Sequence, residues 1–114
     1  MKIAIPTAGG KLTLHFGHCQ EFAIVEVSDN QIIDQQFLPP PPHEPGVLPK
    51  WLHEQGAGVV IAGGMGQRAI SLFQEAGIQV ITGAPAEEPK KLVQSYLNNT
   101  LTIGDNACNH DDPS

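Results

Sequence analysis

The run "GVVIA" at residues 58–62 constrains this chain more than any other stretch. Apolar residues over the length of a strand, with no polar alternation, read as a strand buried on both faces. Such a strand needs covering above and below, which calls for a layered α/β sheet. The flanking residues agree. "GGMG" at 63–66 is followed by the helical pattern "QRAISLFQEA" at 67–76, closed by Gly77, and then by a further strand, "IQVIT", at 78–82. A third helix is predicted over about 88–98, "EPKKLVQSYLN", with Pro89 tolerated in its first turn.

The front of the chain supplies the rest of the sheet. "KIAI" at 2–5 reads as a central strand, stopped by Pro6 and then by Gly9-Gly10. "EFAIVEVS" at 21–28 and "QIIDQQFL" at 31–38 are strands joined at Asp29-Asn30 into an antiparallel hairpin. "PPPPHEPG" at 39–46 favours polyproline II and reads as a stiff, exposed spacer, with recognition of a partner as the alternative. Val47, Leu48, Trp51 and Leu52 then fall at helical spacing over 47–55. The order is β-β-β-α-β-α-β-α. It predicts an α/β fold with a mixed five-stranded sheet, one antiparallel strand and helices on both faces. Beyond Leu101 and Ile103 the last residues lack a core pattern. A domain is expected over 1–103, with a flexible Cys- and His-bearing tail over 104–114.

At 114 residues the chain suits a single core. Six basic against twelve acidic residues give a net charge of -6, and Arg68 is the only arginine. That balance argues against nucleic acid, whose phosphates need clustered Lys and Arg. No window approaches the roughly 20 apolar residues that cross a bilayer, so no membrane role is expected. The apolar run in "MKIAIPTAGG" is too short for a signal peptide, and a cytoplasmic location is the default. In a reducing cytosol a structural disulfide between Cys19 and Cys108 is not expected. Metal binding, redox chemistry or inert thiols remain open for both.

Three stretches carry candidate chemistry. "LHFGHCQ" at 14–20 gathers His15, His18 and Cys19, and the tail carries Cys108 and His110. Soft thiolates with imidazoles suit zinc, copper or an iron–sulfur centre. The spacing is not that of a structural zinc site, and the competing reading is polar loop histidines, a small buried Cys19 and a solvated tail. "GGMGQRA" at 63–69 joins a buried strand to a helix N-terminus, an anion-binding geometry in which Gly63, Gly64, Met65 and Gly66 shape the pocket and Arg68 faces the ligand. A tight turn that needs glycine for sterics explains it equally well. His43 and His53 read as surface residues and Trp51 as packing.

Enzyme motifs are missing: neither G-x-S-x-G nor H-E-x-x-H occurs. Cys19 beside His18 could be an activated thiol, but the sequence names no third residue to orient it. The exposed edge of the hairpin strand leaves room for a homodimer.

"KIAIPTAGG", "HFGHCQEFAIVEV", the stretch from "HEPGVLPKW" to "VITGA" and the closing "LVQSYLNNTL" together resemble the dinitrogenase iron–molybdenum cofactor biosynthesis family, the small domain of NifX and of the NifB C-terminus, over about residues 1–103. The chain looks most like the stand-alone members of that family. The resemblance implies a ribonuclease-H-like fold. It also implies a non-catalytic carrier for a metal–sulfur cluster or its precursor, of iron–sulfur or iron–molybdenum type, working with cluster donor or acceptor proteins. "FGHC" at 16–19 matches the family's loop after the first strand, and "AGGMG" at 62–66 its second glycine-rich loop. His43 falls where many relatives have a histidine, and Cys108 and His110 resemble the tails of some members. A metal-independent interaction module and a thiol enzyme using Cys19 stand as alternatives.

Overall fold

A computed structural model describes residues 1–13, 19–41 and 47–101. The strands are β1 (Lys2–Ala8), β2 (Lys11–Leu12), β3 (Glu21–Ser28), β4 (Gln31–Leu38), β5 (Ala57–Ile61) and β6 (Gln79–Ile81); the helices are α1 (Val47–Glu54), α2 (Gln67–Glu75) and α3 (Pro89–Leu97). The long strands lie in the order β4-β3-β1-β5-β6. β5 runs parallel to β1 and β6 parallel to β5, whereas β3 is antiparallel to both β1 and β4.

The sheet therefore has six strands, not five. The expected stop at Gly9-Gly10 is a two-residue turn: both glycines have positive φ, at 66° and 84°, and Ala8 pairs with Lys11 across them. Positive φ at both central residues matches the right-handed twist of a tight hairpin, and glycine reaches it without steric cost. The extra strand β2 is antiparallel to β1, so β3 is not the only antiparallel strand. The hairpin between β3 and β4 turns in the same way, with Asp29 at φ 53° and Asn30 at φ 62°.

Pro6 does not end β1 either. The amino group of Met1 donates to the Val27 carbonyl at 3.0 Å and the Val27 amide to the Met1 carbonyl at 2.7 Å. Alternation from that pair turns the backbone groups of odd-numbered β1 residues toward β3 and those of even-numbered ones away from it. Pro6 thus faces the other neighbour, where pairing with β5 has already ended at Ala4. Its missing N–H breaks no ladder bond, and its carbonyl accepts from the Thr13 amide at 3.0 Å.

The alternation of β1 divides the core in two. Ile3 and Ile5 join Leu12, Val25, Val59 and Ile61 beneath Leu92 and Val93 of α3. Ala4 faces the opposite way and joins Phe22, Ile24 and Val60 beneath Leu48 and Leu52 of α1 and Phe73 of α2. Helices on both faces are thus observed, one on one side and two on the other. Each fully buried Leu, Ile or Phe contributes about 1.5–3 kcal/mol. An edge-to-face contact between Phe22 and Trp51, with ring centroids 5.7 Å apart, fixes α1 against β3.

The helix ends explain the lengths. After α2, Gly77 takes φ 82°, its amide donates to Gln74 and the Ile78 amide donates to Phe73, a Schellman closure. Asn99, at φ 59°, plays the same part after α3, where the Thr100 amide reaches the Ser95 carbonyl at 2.8 Å. In the proline stretch, Pro39 is exposed and Pro40 and Pro41 are partly buried, so this connection lies against the protein more closely than a free spacer. No described helix is long and apolar enough to cross a membrane.

Candidate functional site

β1 and β5 are adjacent and parallel, and the long strands that follow them lie on opposite sides: β3 next to β1, and β6, reached through α2, next to β5. Open α/β sheets bind ligands in the crevice at such a point, beyond the carboxyl ends of the strands. The start of β3 lies at this same end, since Glu21 pairs with Thr7. The stretches after β1, β5 and β6 therefore converge here.

One side of this end is closed. The Leu12 amide donates to the Glu87 carbonyl at 3.0 Å, and Leu12 is buried in the core beneath α3. The Ala62 amide donates to the Ile81 carbonyl at 2.8 Å, extending the β5–β6 ladder, and beyond it the Gly83 amide donates to Gly63 at 2.9 Å and that of Ala84 to Ala62 at 3.1 Å, tying the two strand ends together. Sequence pattern gave no sign of β2, because two residues show no periodicity.

The other side holds Cys19 and the start of α2. Gln20 is pinned twice: its amide donates to the Thr7 carbonyl at 2.7 Å, and its side-chain oxygen accepts from the Gly9 amide at 3.3 Å. The Thr7 hydroxyl donates to the Glu21 carbonyl at 2.9 Å. These bonds hold Cys19, one residue earlier, half-buried against the α1 and α2 side of the core, on the same cluster as the fully buried Met65. Burial pushes the Cys19 thiol up from 9.0 to about 11, against a smaller lowering by a backbone hydrogen bond. At neutral pH it is a protonated thiol. An activated nucleophile needs the opposite shift.

Gly63, Gly64 and Met65 are buried, whereas Gly66 and Arg68 are exposed. Gly66 is the N-cap of α2, with φ -66° and ψ 154°, and no side chain caps the helix. A Cβ on Gly66 would meet nothing within 4 Å. Neither sterics nor φ demands glycine there, which removes the turn-sterics explanation at that position. The first turn of α2 holds no acidic residue, so Arg68 adds to the positive end of the helix dipole.

The remaining predicted ligands, His15 and His18 in 14–18 and Cys108 and His110 in 102–114, lie outside the described residues, as does His43. Among the described residues no three His, Cys, Asp or Glu side chains group as a metal ion requires. The described candidates are the Cys19 sulfur and an uncapped helix end with a cation in its first turn, linked through the core cluster that Cys19 and Met65 share.

A groove of about 380 Å³ between α1 and α2 lies elsewhere, lined by Pro49, Lys50, His53, Leu72, Glu75 and Ala76. Its α2 residues sit late in that helix, which runs away from the carboxyl end of the sheet. We assign the site to the Cys19 side instead, because the groove is open and holds no soft donor.

A family described as "Dinitrogenase iron-molybdenum cofactor" matches residues 1–99. The protein MJ0580 of Methanocaldococcus jannaschii is 32% identical over 85 residues, covering 70% of this chain and 72% of its own length. The crystal structure of PH0822 superposes with a TM-score of 0.82 at 28% identity, covering 91% of this chain and 96% of the other. The apo form of the orange protein from Desulfovibrio gigas superposes at 0.72 with 22% identity, covering 92% and 93%, and shares the fold.

Proposed function

The chain belongs to the dinitrogenase iron–molybdenum cofactor family, and from that premise we propose that it binds a metal–sulfur cluster or its precursor and hands it on without catalysing a reaction. The cargo is of iron–sulfur or iron–molybdenum type, and the partners are the proteins that donate and accept it. The setting is the reducing cytoplasm. The strand order, with β3 antiparallel to β1 beside parallel β5 and β6, supports a ribonuclease-H-like reading of the fold.

One observation carries the proposal: Cys19 and Met65 belong to the same core cluster beneath α1 and α2, and Met65 leads into the uncapped start of α2. In this reading Cys19 supplies a thiolate to the cluster, losing its proton as the metal binds. The amides at the start of α2 and Arg68 stabilise the negative charge, while Gly63, Gly64 and Gly66 let the cluster approach the backbone. His15, His18, Cys108 and His110 are the further ligands the sequence offers.

Anaerobic reconstitution with ferrous iron and sulfide tests this, read by visible absorbance and metal analysis. The expected result is stoichiometric metal in the wild type and at least about tenfold weaker loading in Cys19→Ala. Wild-type protein that takes up no stoichiometric metal, or loading unchanged by the substitution, would contradict it. Partner capture by metal-free protein that is lost on shortening residues 39–46 would favour the metal-independent interaction module.

A further inference from the structure

β4 is an edge strand. Among the described residues it pairs only with β3. The Met1–Val27 exchange fixes which of its backbone groups are free to face outward. Odd-numbered β3 residues turn toward β1, so Phe22, Ile24 and Glu26 turn toward β4 and meet Leu38, Gln36 and Asp34. Gln35 and Phe37 lie between those partners and direct their N–H and C=O groups away from the sheet. The one register shift falls between Glu26 and Val27 and makes Ile33 the extra residue, leaving 34–38 in regular pairing.

The side chains repeat this pattern. Ile33 is 57% exposed and Phe37 37%, and with Met1 they are the exposed large apolar residues among those described. They stand two positions either side of Gln35, whose amide oxygen is buried. The strand contains no Lys and no Pro, the usual guards of an edge, and its single charge is Asp34.

We infer that β4 pairs antiparallel, edge to edge, with β4 of a second copy of this chain about a two-fold axis at Gln35. About that axis the two Gln35 residues exchange both backbone bonds, and Phe37 lies across from Ile33 of the second copy. Asp34 faces Gln36 of the second copy, an amide donor, so no like charges meet on the strand. A pairing centred on Asp34 would set carboxylate against carboxylate and leave the two apolar residues unmatched. An interface of this kind uses the same patch on both chains, as a two-fold dimer requires. It joins two sheets into one and leaves the carboxyl end of each β1 open. Because each chain carries a net charge of -6, salt strengthens the association by screening.

Sedimentation against concentration, together with amide hydrogen exchange, tests the pairing. The mass should rise from 12.2 kDa toward twice that value. The Gln35 and Phe37 amides should become protected as it rises, while the inward-facing Gln36 amide is protected at every concentration. Phe37→Lys should raise the dissociation constant at least about tenfold. The exchange data on the wild type decide the matter even if that variant folds poorly. A wild-type chain that stays at 12.2 kDa up to about 1 mM overturns the inference. So does a dimer whose Gln35 and Phe37 amides exchange as fast as in the dilute chain, or one undiminished by Phe37→Lys in folded protein.

Discussion

The two sides of the sheet's carboxyl end are built from the same kinds of strand ends, yet they differ in what they leave available. On the α3 side, β2 lies beside β1, passes a hydrogen bond on to Glu87 and buries Leu12. On the α1 and α2 side, the chain presents a half-buried thiol, three buried residues from Gly63 to Met65, and a helix start with no side-chain cap. One side is closed by backbone pairing and aliphatic packing, and the other gathers a thiol, a thioether and a helix start. A crevice position common to all open α/β sheets does not say which side a ligand takes; here the β1–β2 hairpin closes one of the two.

The largest expected effect is on the closed side. Leu92→Ala empties a fully buried position beneath α3 and should cost about 2–5 kcal/mol, read as a lower urea midpoint. Loading per folded chain should stay as in the wild type. Loss of loading in the folded variant would break the division between the two sides. Cys19→Ala should behave in the opposite way. A half-buried sulfur contributes about 1 kcal/mol or less to stability, while loading falls at least about tenfold.

Gly66→Asp sharpens the comparison. A carboxylate at the N-cap should stabilise α2 by a few tenths of a kcal/mol. The same charge should repel an anionic cargo and weaken loading several-fold. A variant that is more stable and loads normally would remove the helix end from the site.

The smallest effect is titration. The folded state holds the Cys19 proton more tightly than the unfolded chain, because burial raises its pKa from 9.0 to about 11. The resulting stabilisation is fully present below pH 9 and is lost as pH rises through 11. Cys19→Ala should flatten that decline in a urea series. Loading should rise with pH, since the metal displaces the proton.

Much of this fold was legible because single stretches carried their own signals. "GVVIA" announced a doubly buried strand, Asp29-Asn30 a tight hairpin, and Gly77 a helix stop, and each matches the structure. Other features were hidden because they depend on neighbours. Pro6 stays inside a central strand only because its backbone groups face past the end of β5, and register cannot be read from one strand. Gly9-Gly10 reads equally well as a stop or a turn until β2 is seen to pair. The same limit applies to the site. Sequence placed Cys19 in a loop of soft residues, but its burial, and with it the rise in its pKa, comes from packing against a cluster assembled from β1, β3, β5, α1 and α2.

The most direct test of the one-sided site is amide NMR on loading the protein anaerobically with an iron–sulfur cluster. Signals from Cys19, Gln20 and residues 63–69 should shift or broaden, while those of Lys11, Leu12 and Glu87 stay in place. Changes confined to Leu12 and Glu87, or spread equally over both sides, would contradict the account.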